Sequence, residues 1–311
     1  MRKALSLILM IISLISLTCC QGNQAVVLSP SPSPSSASPS PSPARSDPPA
    51  PEPAPASKSL IDPAGMTLES RILTPDGYTR TAEDAESLAA FLRGYSLKED
   101  GSPVLLYDGR EKGDQSAHQA VFALPMENAD LQQCADSVMR VYAEYLYHSG
   151  QGEKIAFHFT NGFLAEWSKW REGSRIQVDG NEVSYVASTG YDDSYECFQK
   201  YLRVVFAYAG TLSMTAESQE ISLSDLRVGD VFLKGGSPGH VVMVVDTCVN
   251  EAGEKAFLLA QGYMPAQEFH VLKNPRHDDD PWYYEREVTY PFSTAQYTFP
   301  EGSLRRLEYL D

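Results

Sequence analysis

Asp192-Asp-Ser-Tyr-Glu-Cys197-Phe, then Asp225-Leu-Arg-Val-Gly-Asp-Val-Phe-Leu233 and Ser237-Pro-Gly-His-Val-Val-Met-Val-Val-Asp246, is the sequence on which the fold turns. Phe198, Tyr201, Leu202, Val205, Phe206 and Ala209 recur at three-and-four spacing. A helix with one buried face therefore runs from here to Gly210, which stops it. Asp193 is expected to cap it, with Glu196 returning the bond three residues on, so Cys197 lies in the first turn beside the positive end of the helix dipole. That end favours a thiolate. Asp192, Asp193 and Glu196 oppose it, because like charge raises a thiol pKa.

His240 follows the turn-forming run Gly235-Gly-Ser-Pro-Gly239 and opens the apolar run Val241 to Val245, a buried strand ending at Asp246. Asn250-Glu-Ala-Gly253 makes a hairpin turn into a strand over 255–261, closed by Gln261. Val231 to Leu233, His240 to Val245 and Ala256 to Gln261 are thus expected to share a small antiparallel sheet. An imidazole base needs its second nitrogen held by an acceptor, and an amide oxygen serves as a carboxylate does. The candidate catalytic set is Cys197 as nucleophile, His240 as base and Gln261 as its orienting partner. Tyr195, Ser237, Tyr263 and Gln267 are the candidate substrate contacts.

Over residues 190–265, the order of a helix with a leading cysteine, a Gly-Asp-Val-Phe strand and a Gly-His-Val-Val-Met-Val-Val strand resembles the NlpC-type cysteine peptidases of the wider papain-like fold. The family's usual Asp-Cys-Ser is Glu196-Cys197-Phe198 here. A second resemblance covers nearly the whole chain. Gly101-Ser-Pro-Val-Leu-Leu-Tyr-Asp-Gly109, Leu131-Gln-Gln-Cys-Ala-Asp136, His158-Phe-Thr-Asn-Gly162, Gly235-Gly-Ser-Pro-Gly-His240 and Gln261-Gly-Tyr-Met-Pro-Ala-Gln267 are similar to the bacterial family known as domain of unknown function 4846. That resemblance implies that His240, Gln261 and the Met264 to Gln267 loop belong to a shared motif, and it carries no activity. The expected fold class is α+β: a papain-like helix and antiparallel sheet in the C-terminal half (189–311), and a mixed α/β N-terminal half (61–188).

Arg2 and Lys3 precede an apolar run from Ala4 to Leu17, and Leu17-Thr-Cys19-Cys20 closes it. This is the pattern of a bacterial lipoprotein signal over residues 1–20, with Cys20 as the lipidation candidate and Cys19 the alternative. The expected location is a lipid anchor on the cell membrane or outer membrane, facing the periplasm or exterior. Residues 21–60 are rich in Ser, Pro and Ala, a composition that cannot bury apolar surface and prefers extended polyproline conformations. At ~3 Å per residue the stretch of this spacer from Val27 to about Lys58 could reach about 90 Å.

The net charge of -16, from 41 acidic and 25 basic side chains, argues against nucleic acid as a partner and against electrostatic binding to anionic lipid. Two of the five cysteines fall in the leader, and the odd remainder, Cys134, Cys197 and Cys248, cannot all be paired. Cys134 falls on the apolar face of a helix that Asp130 is expected to open and that runs to His148, and reads as a core thiol. In the N-terminal half, a helix is expected to open at Thr81, with strands at Val104 to Tyr107, Gln119 to Leu124 and Ile155 to Thr160, and a helix from Phe163 to Trp170. Trp167 and Trp170 share a face and read as core packing rather than a sugar platform. The six histidines show no His-x-His or His-Glu-x-x-His pair, so neither metal nor cofactor is expected, and His277-Asp-Asp-Asp280 reads as a solvated turn.

Three functions compete at this point. One is a cysteine peptidase or amidase acting on cell-wall peptides. Another is a catalytically silent papain-like module holding a peptidoglycan or glycan fragment in the same cleft. The third is a structural envelope lipoprotein whose motif residues hold the fold.

Overall fold

A computed structural model describes residues 59–310. The leader with Cys19 and Cys20, and the spacer up to residue 58, lie outside the described residues.

The His240–Asn250 strand is the axis of the fold because nine consecutive residues of it, His240 to Cys248, are buried. A strand covered on both faces reads as a continuous apolar run instead of an alternating one, which is what Val241 to Val245 shows. Lys255–Gln261 pairs with it on one side and Val231–Lys234 on the other, both antiparallel. The three expected strands are therefore adjacent. The sheet extends through His270–Leu272 and His118–Val121 beyond the first, and through Leu304–Leu307 and Ser218–Glu220 beyond the second. Tyr78–Arg80 pairs with the far end of the His240 strand, and Tyr283–Tyr284 with Lys255–Gln261, giving nine strands.

The side chains of the central strand divide between two cores. Val241, Met243 and Val245 pack with the helix Cys134–His148, whereas Val242 and Val244 pack with Phe232, Phe257, Phe292 and Phe299. The register of the hairpin shifts between Leu258 and Leu259: Leu258 faces Asp246 and Leu259 faces Val244, so Val245 is an extra residue. Such a bulge rotates everything beyond it to the other face. Asp246 accordingly turns toward Arg80 and Arg93, whose Nε atoms each donate to its carboxylate at 2.7 Å.

The molecule is α+β, with a mostly antiparallel sheet and few helices. Residues 56–311 form one compact unit. The expected halves interleave within it. Two strands of the sheet, and the helices Leu88–Arg93 and Cys134–His148 that lie on the His240 strand, come from before residue 188. Several local expectations shift. The helix expected at Thr81 begins at Leu88 under a Ser87 cap, the one expected at Asp130 begins at Cys134, and Leu164–Glu166 is strand before a short helix at Trp167–Arg171. Val104 to Tyr107 makes only isolated bridges, at Leu105 and Leu106. No helix among the described residues is long and apolar enough to cross a membrane.

Candidate functional site

The helix Tyr195–Tyr208 forms where its spacing demands, with Ser194 rather than Asp193 as cap: the Ser194 hydroxyl accepts from the Cys197 amide at 3.2 Å. This helix does not lie on the His240 strand. It packs on the Trp167 helix and on the Cys134 helix, and it is the Cys134 helix, together with the short Leu88–Arg93 helix, that contacts the strand. Cys197 is 1% exposed, with Arg175 Nη2 3.9 Å from its sulfur. Burial raises its pKa, and the nearby Asp192 carboxylate raises it further. The structure thus brings together His240 and Gln261 but not Cys197. The cause is topological: the cysteine-headed helix on the strand is supplied by the N-terminal half.

His240 Nε2 lies 2.7 Å from Gln261 Oε1. Since an amide oxygen only accepts, Nε2 carries the proton and Nδ1 keeps the lone pair. Both residues point to the second core, where Tyr263 and Tyr297 cover the imidazole with ring centroids 4.7 Å away and Phe299 lies 6.0 Å away. Burial holds the His240 pKa down to about 4, the Gln261 bond working against it. The ring is therefore neutral at physiological pH.

Gln261 is itself held. Its Nε2 donates to Gln296 Oε1 at 2.8 Å and lies 3.5 Å from His270 Nε2. Lys112 Nζ donates to the same Gln296 oxygen at 2.9 Å, and His270 Nδ1 lies 2.8 Å from the Glu268 carbonyl. Sequence reasoning missed Lys112, His270 and Gln296. Only the period-two position of His270 in a short strand hinted that it faces the sheet.

A second thiol at the head of a helix is Cys134, which belongs to the first core, whereas the His240 and Gln261 side chains point to the second. It is the first residue of the long helix, whose cap is Gln133 with Asp136 accepting the Gln133 amide at 3.0 Å. The Leu131-Gln-Gln-Cys-Ala-Asp136 string held that signal, with an acidic residue three beyond the cap. The main-chain N–H of Val241 lies close enough to the Cys134 sulfur to favour its charged form. Burial nonetheless pushes this thiol up to about 11, and the Asp136 charge adds to that. Asp136 is itself pushed up to about 8 by burial, and its Oδ1 has no partner among the described residues.

A cleft of about 400 Å³ opens here, lined by Gln133, Cys134, Asp136, the Gly236 to Gly239 turn and Met264. Ser237 lines it. The loop after Gln261 is tied down by Asp130 Oδ1, which accepts from the Ala266 amide at 2.7 Å. Of the other expected contacts, Tyr263 covers His240, whereas Gln267 is 1% exposed and bridges to Leu106. Tyr195 lies elsewhere, its hydroxyl donating to Glu144 at 2.6 Å inside the interface with the Cys134 helix. Trp167 and Trp170 are buried against Tyr201, as core residues. His158 pairs with Glu217 at 2.7 Å, away from His240. Cys134, Cys197 and Cys248 are all free and buried. Among the described residues no group of three or more His, Cys, Asp or Glu is arranged to hold a metal.

The whole motif, from Leu131-Gln-Gln-Cys through His240 to Gln267, falls within one family match, Domain of unknown function (4846), over residues 68–306. The chain belongs to that family. Comparison of this DUF4846 chain with curated proteins and with solved structures gives no match.

Proposed function

We propose that this DUF4846 domain is a papain-like thiol hydrolase of peptide or amide bonds, with Cys134 as nucleophile, His240 as base and Gln261 as the residue that holds the base. We further propose that it works in the cell envelope, tethered by a lipid on Cys20 through the Pro/Ser-rich spacer, with a cell-wall peptide as substrate. The observation that carries the chemistry is the 2.7 Å bond from His240 to Gln261, which frees Nδ1, at a strand end where a helix-leading thiol meets the neighbouring amide. The leader pattern supports the location.

The resting pair is thiol and neutral imidazole, because burial raises one group to about 11 and lowers the other to about 4. Proton transfer therefore accompanies attack: the Cys134 proton passes to Nδ1 as sulfur bonds to the carbonyl carbon, and Nδ1 then delivers it to the leaving nitrogen as the C–N bond breaks. Water afterwards cleaves the thioester. Amides at the head of the Cys134 helix are placed to receive the oxyanion.

A second reading is favoured by one observation. Cys134 is only 5% exposed and His240 only 2%, which suits a silent module that binds a wall fragment in the cleft. Alkylation separates the two. With Cys197 and Cys248 replaced by serine, the Cys134 of a hydrolase reacts with iodoacetamide faster at neutral pH than it does in His240→Ala, because the neutral imidazole takes the thiol proton as the sulfur attacks. A rate indifferent to His240 leaves the binding module.

A further inference from the structure

The orientation of Gln261 decides which nitrogen of His240 is basic, and the structure fixes it from both ends. Lys112 has an ammonium that only donates, so the Gln296 atom 2.9 Å from it must be the oxygen. That oxygen also faces Gln261 at 2.8 Å, so Gln261 must present its NH2 group there. On the other side the Glu268 carbonyl only accepts, so His270 carries its proton on Nδ1 and turns a lone pair toward Gln261. Again Gln261 must present NH2. Each anchor alone leaves the Gln261 oxygen facing His240, and reversing the amide would break the contacts to both Gln296 and His270.

We propose that Lys112 and Gln296 on one side, and His270 on the other, are positioning residues that lock the His240 imidazole in its Nε2–H tautomer. None of them touches the cleft chemistry. Their role is to keep Nδ1 unprotonated and available, which deepens the hydrolase reading and rests on it for its functional meaning. A ring free to flip between tautomers presents a lone pair on Nδ1 only part of the time, and a base with the wrong tautomer cannot accept the thiol proton.

The test is the 15N spectrum of imidazole-labelled protein, which separates protonated from lone-pair nitrogens without reference to activity. His240 of the wild type should show Nε2 protonated and Nδ1 bare across pH 6–8. Gln296→Glu, which still accepts from both Lys112 and Gln261, should keep that pattern. Gln296→Leu combined with His270→Phe removes both anchors and should yield a mixed Nδ1–H and Nε2–H signal. If the double variant does not fold, Gln296→Lys, on a half-buried loop residue, puts a donor where Gln261 needs an acceptor and should draw His240 toward Nδ1–H. An Nδ1–H signal in the wild type overturns the proposal, as does an unchanged tautomer in the folded double variant or, where that does not fold, in Gln296→Lys. A locked tautomer with an unreactive Cys134 would leave the lock standing and remove the hydrolase.

Discussion

Gly262 presses against Ser137: a methyl group built on its Cα would stand 2.2 Å from the Ser137 hydroxyl and 2.9 Å from the Gln133 carbonyl. The end of the strand that carries Gln261 and the first turn of the helix that carries Cys134 therefore meet with no space between them.

Gly262→Ala is expected to push the two elements apart. Overpacking of this kind costs about 1–3 kcal/mol, so the urea midpoint should fall, and the Cys134 alkylation rate should shift with it. An unaltered midpoint would mean that the helix start gives way freely.

Asp246 is fully buried and accepts from Arg80 and Arg93 at 2.7 Å each, and from the Thr247 amide at 2.9 Å. Removing one member of a buried charge cluster strands the others. Asp246→Ala is expected to cost roughly 3–5 kcal/mol, while Arg80→Met, whose side chain is partly open to solvent, should cost less. Equilibrium denaturation of the two variants should rank them in that order.

Acid and base should destabilise the domain through different residues. His240 and His270 have folded pKa values depressed by burial to about 4 and about 3, so the stability they contribute is present above the unfolded value of ~6.5 and is lost as pH falls below it. Asp136 has the opposite sign. Its carboxyl is raised to about 8, so its contribution declines as pH rises from about 4 to about 8. Between pH 6.5 and 8 only the second effect operates among these three groups, worth roughly 2 kcal/mol. The wild type should lose stability over that window, and Asp136→Asn should lose less.

A fatty-acid probe fed to cells should label the full-length protein, and the Cys19→Ser, Cys20→Ser double variant should remain unlabelled. Equal labelling of the two would remove the lipid anchor from the proposed function.

The hairpin that carries His240 and Gln261 was legible because its signals are local: a turn run before His240, five apolar residues after it, and Asn250 to Gly253 at the bend. The Cys197 helix was equally legible as a helix. Its partner was not, since a three-and-four pattern says that a face is buried but not what buries it. Two cysteines each lead a helix in this chain, and only the fold says which one reaches the strand. The polar chain behind Gln261 was hidden for a related reason: Lys112, His270 and Gln296 lie far apart in sequence and carry no common spacing.

The extra residue at Val245 has one more consequence. His240 and Asp246 are an even number of positions apart, and in an uninterrupted strand they would face the same way, forcing a neutral imidazole and a carboxylate with two guanidiniums into one compartment. The bulge separates them, sending the charges under the helices and leaving the imidazole among aromatic rings. Losing Val245 would close the ladder and leave the two ends an odd number of positions apart, still on opposite faces. A residue added beside the bulge would instead bring both onto one face, so an in-frame single-codon insertion there should be more damaging than the single-codon loss.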